Sequence, residues 1–235
     1  MKIADLHTHT QLSPCASLEM SPQAIVKQAK KRHIDILGIS DHNTTRQVAL
    51  VKKLAEKEGI YVLQGVEINT KEEVHCLCFF PSAKELNTFQ KYIDQHLPHI
   101  QNRPDLFGDQ VQVNEAEEIV YEEKLFLLGA LNQSIEEVEN KVHHLNGLFI
   151  PAHINRKHYG LCHQLGFVPP WLNYDALEIH PAMPLVSELP DNGVRILYNS
   201  DAHHPDEIGQ RSNKMDIEVC SWEHIYQWIN AWKSP

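Results

Sequence analysis

No apolar run in this chain approaches the roughly 20 residues that cross a bilayer, and no charged-then-apolar signal opens it. Neither a membrane span nor a secretory leader is expected. The chain also lacks a Gly-rich phosphate loop, a serine nucleophile elbow and a Cys-x-x-Cys motif, so three common routes to chemistry are missing. Basic residues are in deficit, 21 Lys and Arg against 31 Asp and Glu. The resulting net charge of −10 disfavours long-range attraction to nucleic acid or to an anionic membrane. A phosphorylated substrate would have to be held locally, by metals or by a few arginines. Cysteine is sparse and odd in number, with Cys15, Cys76, Cys78, Cys162 and Cys220 scattered. That pattern reads as reduced thiols in a cytoplasm rather than as a disulfide framework. There is no internal repeat, low-complexity stretch or linker, and 235 residues suffice for one domain with a full core, residues 1–235.

Histidine is what the chain has in quantity: sixteen, clustered where apolar runs end. His7 and His9 close the run Ile3 to His9, Asp41-His42 follows Asp35 to Ser40, Glu67 ends Ile60 to Val66, and His153 and Asp201 each follow another run. Alternate residues of a strand share a face, so Asp5, His7 and His9 are expected on one side. Imidazole and carboxylate are ordinary ligands of Zn, Fe and Mn, and they meet at one point only if several strand ends converge. A parallel barrel presents its strand ends on one face.

The alternation of strand and helix is legible along most of the chain. Ser21-Pro22 starts a helix over 24–33, strand 36–40 follows, and a polar amphipathic helix over about 46–58 ends at Gly59. Residues 74–80 read as a strand with His75, Leu77 and Phe79 on one face and Cys76 and Cys78, as buried filler, on the other. Residues 82–146 break the pattern: helix 84–97, a long polar loop 98–113 suited to a lid, and helix 135–145 opened by a Ser134/Glu137 capping box. On that last helix His143 and His144 are expected to face solvent. Strands then resume at 148–152, 176–180 and 194–200, and Trp222, Ile225, Ile229 and Trp232 make an apolar stripe on the final helix.

Five segments, Asp5-Leu6-His7-Thr8-His9, Ser40-Asp41-His42, Gly65-Val66-Glu67, Pro151-Ala152-His153 and Asn199-Ser200-Asp201-Ala202-His203, resemble in order the motifs of the PHP (polymerase and histidinol phosphatase) superfamily. The resemblance implies an α/β fold, a distorted seven-stranded (βα) barrel with residues 82–146 as a helical and loop insertion. It also implies a multinuclear centre of two or three divalent ions, Zn, Fe or Mn. His7, His9, Glu67 and Asp201 would hold the first ion. Glu67 would bridge to a second held also by His75 and His153. His42, His203 and Cys15 would hold a third, with Cys15 standing where relatives commonly carry His or Asp; a thiolate there favours Zn or Fe over Mn.

Adjacent divalent cations lower the pKa of a shared water and neutralise charge on phosphate oxygens, which is phosphoester hydrolysis without a covalent intermediate. For the leaving group's proton the candidates are His203 and Asp41, the latter equally suited to orienting a ligand. Asp5 reads as support for a ligand imidazole, and Glu178 and His180 as pocket wall. Arg156 is the leading phosphate-binding candidate, with Arg103 and Arg211 behind it. Substrate choice is expected to sit in residues 98–113 and 154–170. The expected partner is a small phosphorylated molecule, with no membrane and no stable nucleic-acid binding. The alternatives are a nuclease, which the acidic balance disfavours, an amidohydrolase, and a metal-binding module without catalysis.

Overall fold

The computed structural model describes residues 1–190 and 193–233. In chain order these form β1 (Lys2–Thr8), α1 (Pro22–Lys31), β2 (Ile36–Ile39), α2 (Val48–Lys57), β3 (Tyr61–Asn69), β4 (His75–Phe79), α3 (Ala83–His96), α4 (Pro104–Phe107), β5 (Val111–Val113), β6 (Ile119–Glu122), α5 (Ile135–His144), β7 (Leu148–Pro151), α6 (Leu161–Gln164), β8 (Leu177–Glu178), β9 (Ile196–Leu197), β10 (Asn213–Met215) and α7 (Trp222–Asn230). The main helices start where the sequence signals place them. Ser21 accepts from the Ala24 N–H with Pro22 in the first turn, and Ser134 and Glu137 close a reciprocal capping box.

The architecture is α/β, built on a six-stranded sheet in the order β10-β1-β2-β3-β4-β7. β1, β2 and β3 run parallel, whereas β4 and β10 are antiparallel to their neighbours, so the sheet is mixed rather than purely parallel. The cause lies between β3 and β4. Residues 70–74 are too few for a crossover helix, and the chain can only fold back on itself. The first half of β3 pairs with β2 and its second half, from Gly65, with β4. Gly65 is dictated by that approach: a Cβ there would stand 2.3 Å from Phe79 Cδ1 and 2.5 Å from the Cys78 carbonyl.

β8 and β9 pair with each other in parallel. Backbone bonds from Ile154 N to Glu178 O and from Asp175 N to Phe149 O join this pair to β7. His9 N to Ala202 O and Ala202 N to His7 O join the segment after β9 to β1. One apolar layer lies between the sheet and helices α1, α2, α3 and α5, and includes Cys76 and Cys78 as buried filler. A second, on the opposite sheet face, holds Leu6, Leu63, Leu77, Phe79 and Ile150, and α7 covers it with Ile225 and Ile229.

Between β4 and β7, which are hydrogen-bonded neighbours, the chain makes α3, α4, the β5–β6 hairpin and α5. The expected loop 98–113 is therefore structured. Buried Gln47 pins the hairpin, donating to Val113 O and accepting from Val113 N, while Gln110 bonds the backbone of Glu123, Leu125 and Leu127. The two strands, Val111–Val113 and Ile119–Glu122, are only three and four residues long and the second is exposed throughout, too short a stretch for periodicity to register.

Candidate metal centre

His7, His9, His42, Glu67, His75, His153, Asp201 and His203 converge on one end of the sheet, with Glu67 at the middle. Oε1 of Glu67 lies 3.1 Å from His75 Nδ1, 3.2 Å from His153 Nε2 and 3.3 Å from His7 Nε2. Its Oε2 lies 3.0 Å from His42 Nδ1 and 3.4 Å from His9 Nε2. Asp201 Oδ1 completes the ring at 3.2 Å from His7 Nε2 and 3.3 Å from His9 Nε2. Three overlapping groups within ligand reach emerge: His7, His9, Glu67 and Asp201; His42, Glu67 and His75; and His9, His42 and His203.

The backbone that aims these groups departs from the strand-end rule in three places. Glu67 lies inside β3, because the antiparallel β4 prolongs the ladder as far as Asn69. His75 opens β4 rather than ending it, since an antiparallel strand brings its first residue to the shared end. In β1 the register shifts between the pairs Asp5↔Leu37 and Thr8↔Ile39, inserting one extra residue, so the alternation from Asp5 to His9 is broken. Asp5 accordingly does not face the cluster; it accepts from Ser200 N–H and Gly209 N–H and ties the segment around Asp201 to β1. His153 (φ 28°) and Asp201 (φ 53°) both adopt left-handed backbone that non-glycine residues rarely take.

Electrostatics follow from burial. Burial opposes ionisation of Glu67, but His75, His7 and His42 outweigh it and hold this carboxyl well below its ordinary range. Asp201 is held low in the same way by His7 and a hydrogen bond from His9. His9 is pushed down to about 4 by burial and then by the charge of His203, and His42 is pushed down by burial. His7 moves the other way: burial opposes its charge, yet Glu178, Asp201 and Glu67 raise it well above normal.

Do these residues fit divalent ions? On the side of the cluster where the groups converge, buried His42 Nδ1 and Glu67 Oε2 make no hydrogen bond among the described residues, although they lie 3.0 Å apart. Buried polar atoms are ordinarily satisfied, and nitrogen and carboxylate oxygen are the donor set of Zn, Fe and Mn. The fit is good.

The other expected residues separate. Asp41 is fully buried and its carboxylate accepts from Thr10 N, Thr10 Oγ1 and Ser13 Oγ at 2.6, 2.7 and 2.7 Å. Ser13 Oγ in turn lies 3.1 Å from His9 Nδ1, so Asp41 supports His9 through Ser13. Cys15 is exposed, its Sγ 3.1 Å from His203 Nε2, but it does not join the three-histidine group. Although the residue as a whole is exposed, desolvation of the sulfur and then the negative charges of Glu67 and Asp201 raise its thiol pKa. A cavity of about 420 Å³ opens beside the cluster, lined by Arg156, His180, Met183, Glu207 and Arg211 with Cys15, Asp201 and His203. Arg103 stays outside it, exposed and paired with Asp105 at 2.9 Å. None of residues 98–113 lines the cavity, and of 154–170 only Arg156 does; residues 180–183 and 207–211 take their place.

Two residues escaped sequence reasoning. Glu178 is not pocket wall: its carboxylate lies 3.1 Å from His7 Nδ1. Tyr159 stacks on His75, with ring centroids 4.3 Å apart, and its carbonyl accepts from the His75 N–H. The Glu178 signal was present as a carboxylate inside a short apolar run. Tyr159 carried none.

A family model described as PHP domain matches residues 5–164. The 5′-3′ exoribonuclease Rnm of Escherichia coli is 35% identical over 75 residues, covering 31% of this chain and 25% of that enzyme. Among solved structures, endonuclease Q of Pyrococcus furiosus superposes with a TM-score of 0.71 at 20% identity, covering 98% of this chain and 56% of that one. An endonuclease Q complex with a 27-mer duplex carrying an abasic lesion gives 0.70 at 18% identity. The chain thus spans about half of the one enzyme and a quarter of the other. These likenesses overturn the expectation of a small phosphorylated partner without nucleic-acid binding. That expectation rested on the −10 net charge of the bare chain. Net charge averages over the whole surface, whereas divalent ions held by the cluster, with Arg156 and Arg211 beside it, would make the cavity locally more positive.

Proposed function

The chain belongs to the PHP domain family, whose members are metal-dependent hydrolases, and from that premise we propose that it hydrolyses phosphodiester bonds of nucleic acid. The carrying observation is the cluster around Glu67, in which imidazole nitrogens and carboxylate oxygens from separate segments form three overlapping groups within ligand reach of one another. The likeness to the exoribonuclease Rnm supports the choice of substrate.

In this reading His7, His9, Glu67 and Asp201 hold one ion, and Glu67, His75 and His153 a second, with His42 close to Glu67. His42 and His203, with His9 and Cys15 at hand, would hold a third ion where one is bound. Bound ions would supply an activated water and neutralise charge on the phosphate. The chain's own side chains do the rest. Arg156 is half-exposed on the cavity edge and spends one N–H on Asp201, leaving others for phosphate oxygens. Arg211 donates from Nε and Nη2 to the carbonyls of Asn199 and Ser200, so it shapes the wall of the cavity. His203 faces the cavity and, with two ions bound, is our candidate for protonating the leaving oxygen; Asp41 is assigned to hold Thr10 and Ser13. We count the barrel as seven strands, β1, β2, β3, β4, β7, β8 and β9, on the hydrogen bonds that join the β8–β9 pair to β7 and β1, with β4 to β7 bridged by an insertion.

The test is a time course on end-labelled single-stranded RNA and DNA with Mn or Zn added. Metal-dependent release of nucleotides, abolished in Glu67→Gln, supports the reading. A metal-loaded protein that leaves both polymers intact contradicts it.

A further inference from the structure

Glu178 is 2% exposed and sits at the crossing of four strands. Its carboxylate accepts from three donors: His7 Nδ1 at 3.1 Å, the backbone N–H of His153 at 3.2 Å and Asn199 Nδ2 at 2.8 Å. Asn199 cannot be turned around, because its Oδ1 already accepts from Leu6 N–H at 3.0 Å and from Asn213 Nδ2 at 2.8 Å. Asn213 is fixed in turn, its Oδ1 accepting from Tyr198 N–H at 2.9 Å. A polar chain therefore runs from β10 through the segment after β9 to Glu178 on β8 and ends on the imidazole of His7. No side-chain nitrogen or oxygen of Glu178, Asn199, Asn213 or His7 is left without a partner.

We infer that Glu178 is a positioning residue that sets the tautomer of His7 and the turn at His153, with Asn199 and Asn213 as its anchor. The inference rests on the reading of His7 as a metal ligand. Holding the proton on Nδ1 leaves the Nε2 lone pair facing the Glu67 and Asp201 carboxylates at 3.3 and 3.2 Å. The other tautomer would aim a proton at the space an ion must fill. A carboxylate is required because all three neighbours donate. A glutamine would set its own NH₂ against Asn199 Nδ2, His7 Nδ1 or the His153 N–H, leaving one buried donor without an acceptor. The same carboxylate holds the left-handed backbone at His153, so one residue aims ligands from two strands.

Zinc-loaded protein labelled with ¹⁵N-histidine provides the test, with zinc affinity read by competition against a chromophoric chelator. In the unaltered protein His7 shows a protonated Nδ1 and an unprotonated Nε2. Glu178→Gln should weaken zinc binding roughly 10–100-fold, the range for partners that orient ligands, and shift the His7 nitrogen signals. Asn199→Ala removes the donor to Glu178 without adding a charge beside it; it should make both changes to a smaller degree, and it decides alone if Glu178→Gln does not fold. Unchanged affinity, or weaker affinity with unmoved His7 signals, overturns the inference. If the unaltered protein takes up no zinc, the ligand reading beneath it falls as well, which separates the two failures.

Discussion

Arg156 and His7 share the carboxylate of Asp201: Arg156 Nη1 bonds Oδ2, while Oδ1 lies 3.2 Å from His7 Nε2. One carboxylate thus couples the substrate side of the centre to the ligand side. Arg156→Ala should lower kcat/KM by about 1.5–3 kcal/mol, the range for a hydrogen bond to a charged group. Because the oxygen facing the histidines is not the one Arg156 holds, metal content should be retained. Steady-state kinetics paired with elemental analysis checks both halves.

Glu67 touches five histidines, and no other carboxylate replaces it at the centre. Glu67→Gln should lose bound metal and reduce hydrolysis to background. Glu115→Gln, altering an exposed carboxylate paired among the described residues with Lys53 and Lys57, should leave both unchanged. Equal metal loss in the two variants would show that the loss is not specific to the cluster.

Much of this centre was legible in the sequence because His7, His9, His42, His153 and Asp201 follow apolar runs that become strands. What was not legible is non-local. The β1 bulge that turns Asp5 away depends on pairing with β2, and the position of His75 at the opening of β4 depends on that strand's reversed direction. Glu178 reads as a stray polar residue until the fold places His7, His153 and Asn199 around it. Net charge was a poor guide to the partner, since it averages over the whole surface and carries no information about a single cavity. His143 misled too: expected in solvent with His144, it bonds Glu139 Oε1 at 2.8 Å and Asp175 Oδ2 at 3.0 Å, and only His144 is exposed.

That pairing carries a pH dependence. Although burial opposes it, bonding to Asp175 and Glu139 raises the pKa of His143. This contribution is fully present below the unfolded histidine value of about 6.5 and is lost as pH rises through the folded value. Asp175 is lowered by His143 and Lys233 against its burial. Its contribution is present above about 3.9 and is lost as pH falls through the folded value. The pair should stabilise most between about pH 4 and pH 6.5. Asp175→Asn should cost about 1.5–3 kcal/mol at pH 5.5 and less at pH 8.5, read from urea unfolding at each pH. A cost independent of pH would contradict the assignment.

Gly65→Ala drives a methyl group into Phe79 and the Cys78 carbonyl, where β3 passes from β2 to β4. Backbone cannot yield as a flexible side chain would, and a loss of about 1–3 kcal/mol is expected from overpacking. Glu67 lies two residues on in the same strand, so metal affinity should fall with stability. Urea denaturation and chelator competition on the same preparation check the pair of effects.

The central claim is that the convergent histidines and carboxylates exist to hold several ions together. Elemental analysis of folded protein purified without chelator tests it most directly. The account predicts at least two Zn, Fe or Mn ions per chain, and none in Glu67→Gln. One ion or none in the fully folded, unaltered protein would contradict it.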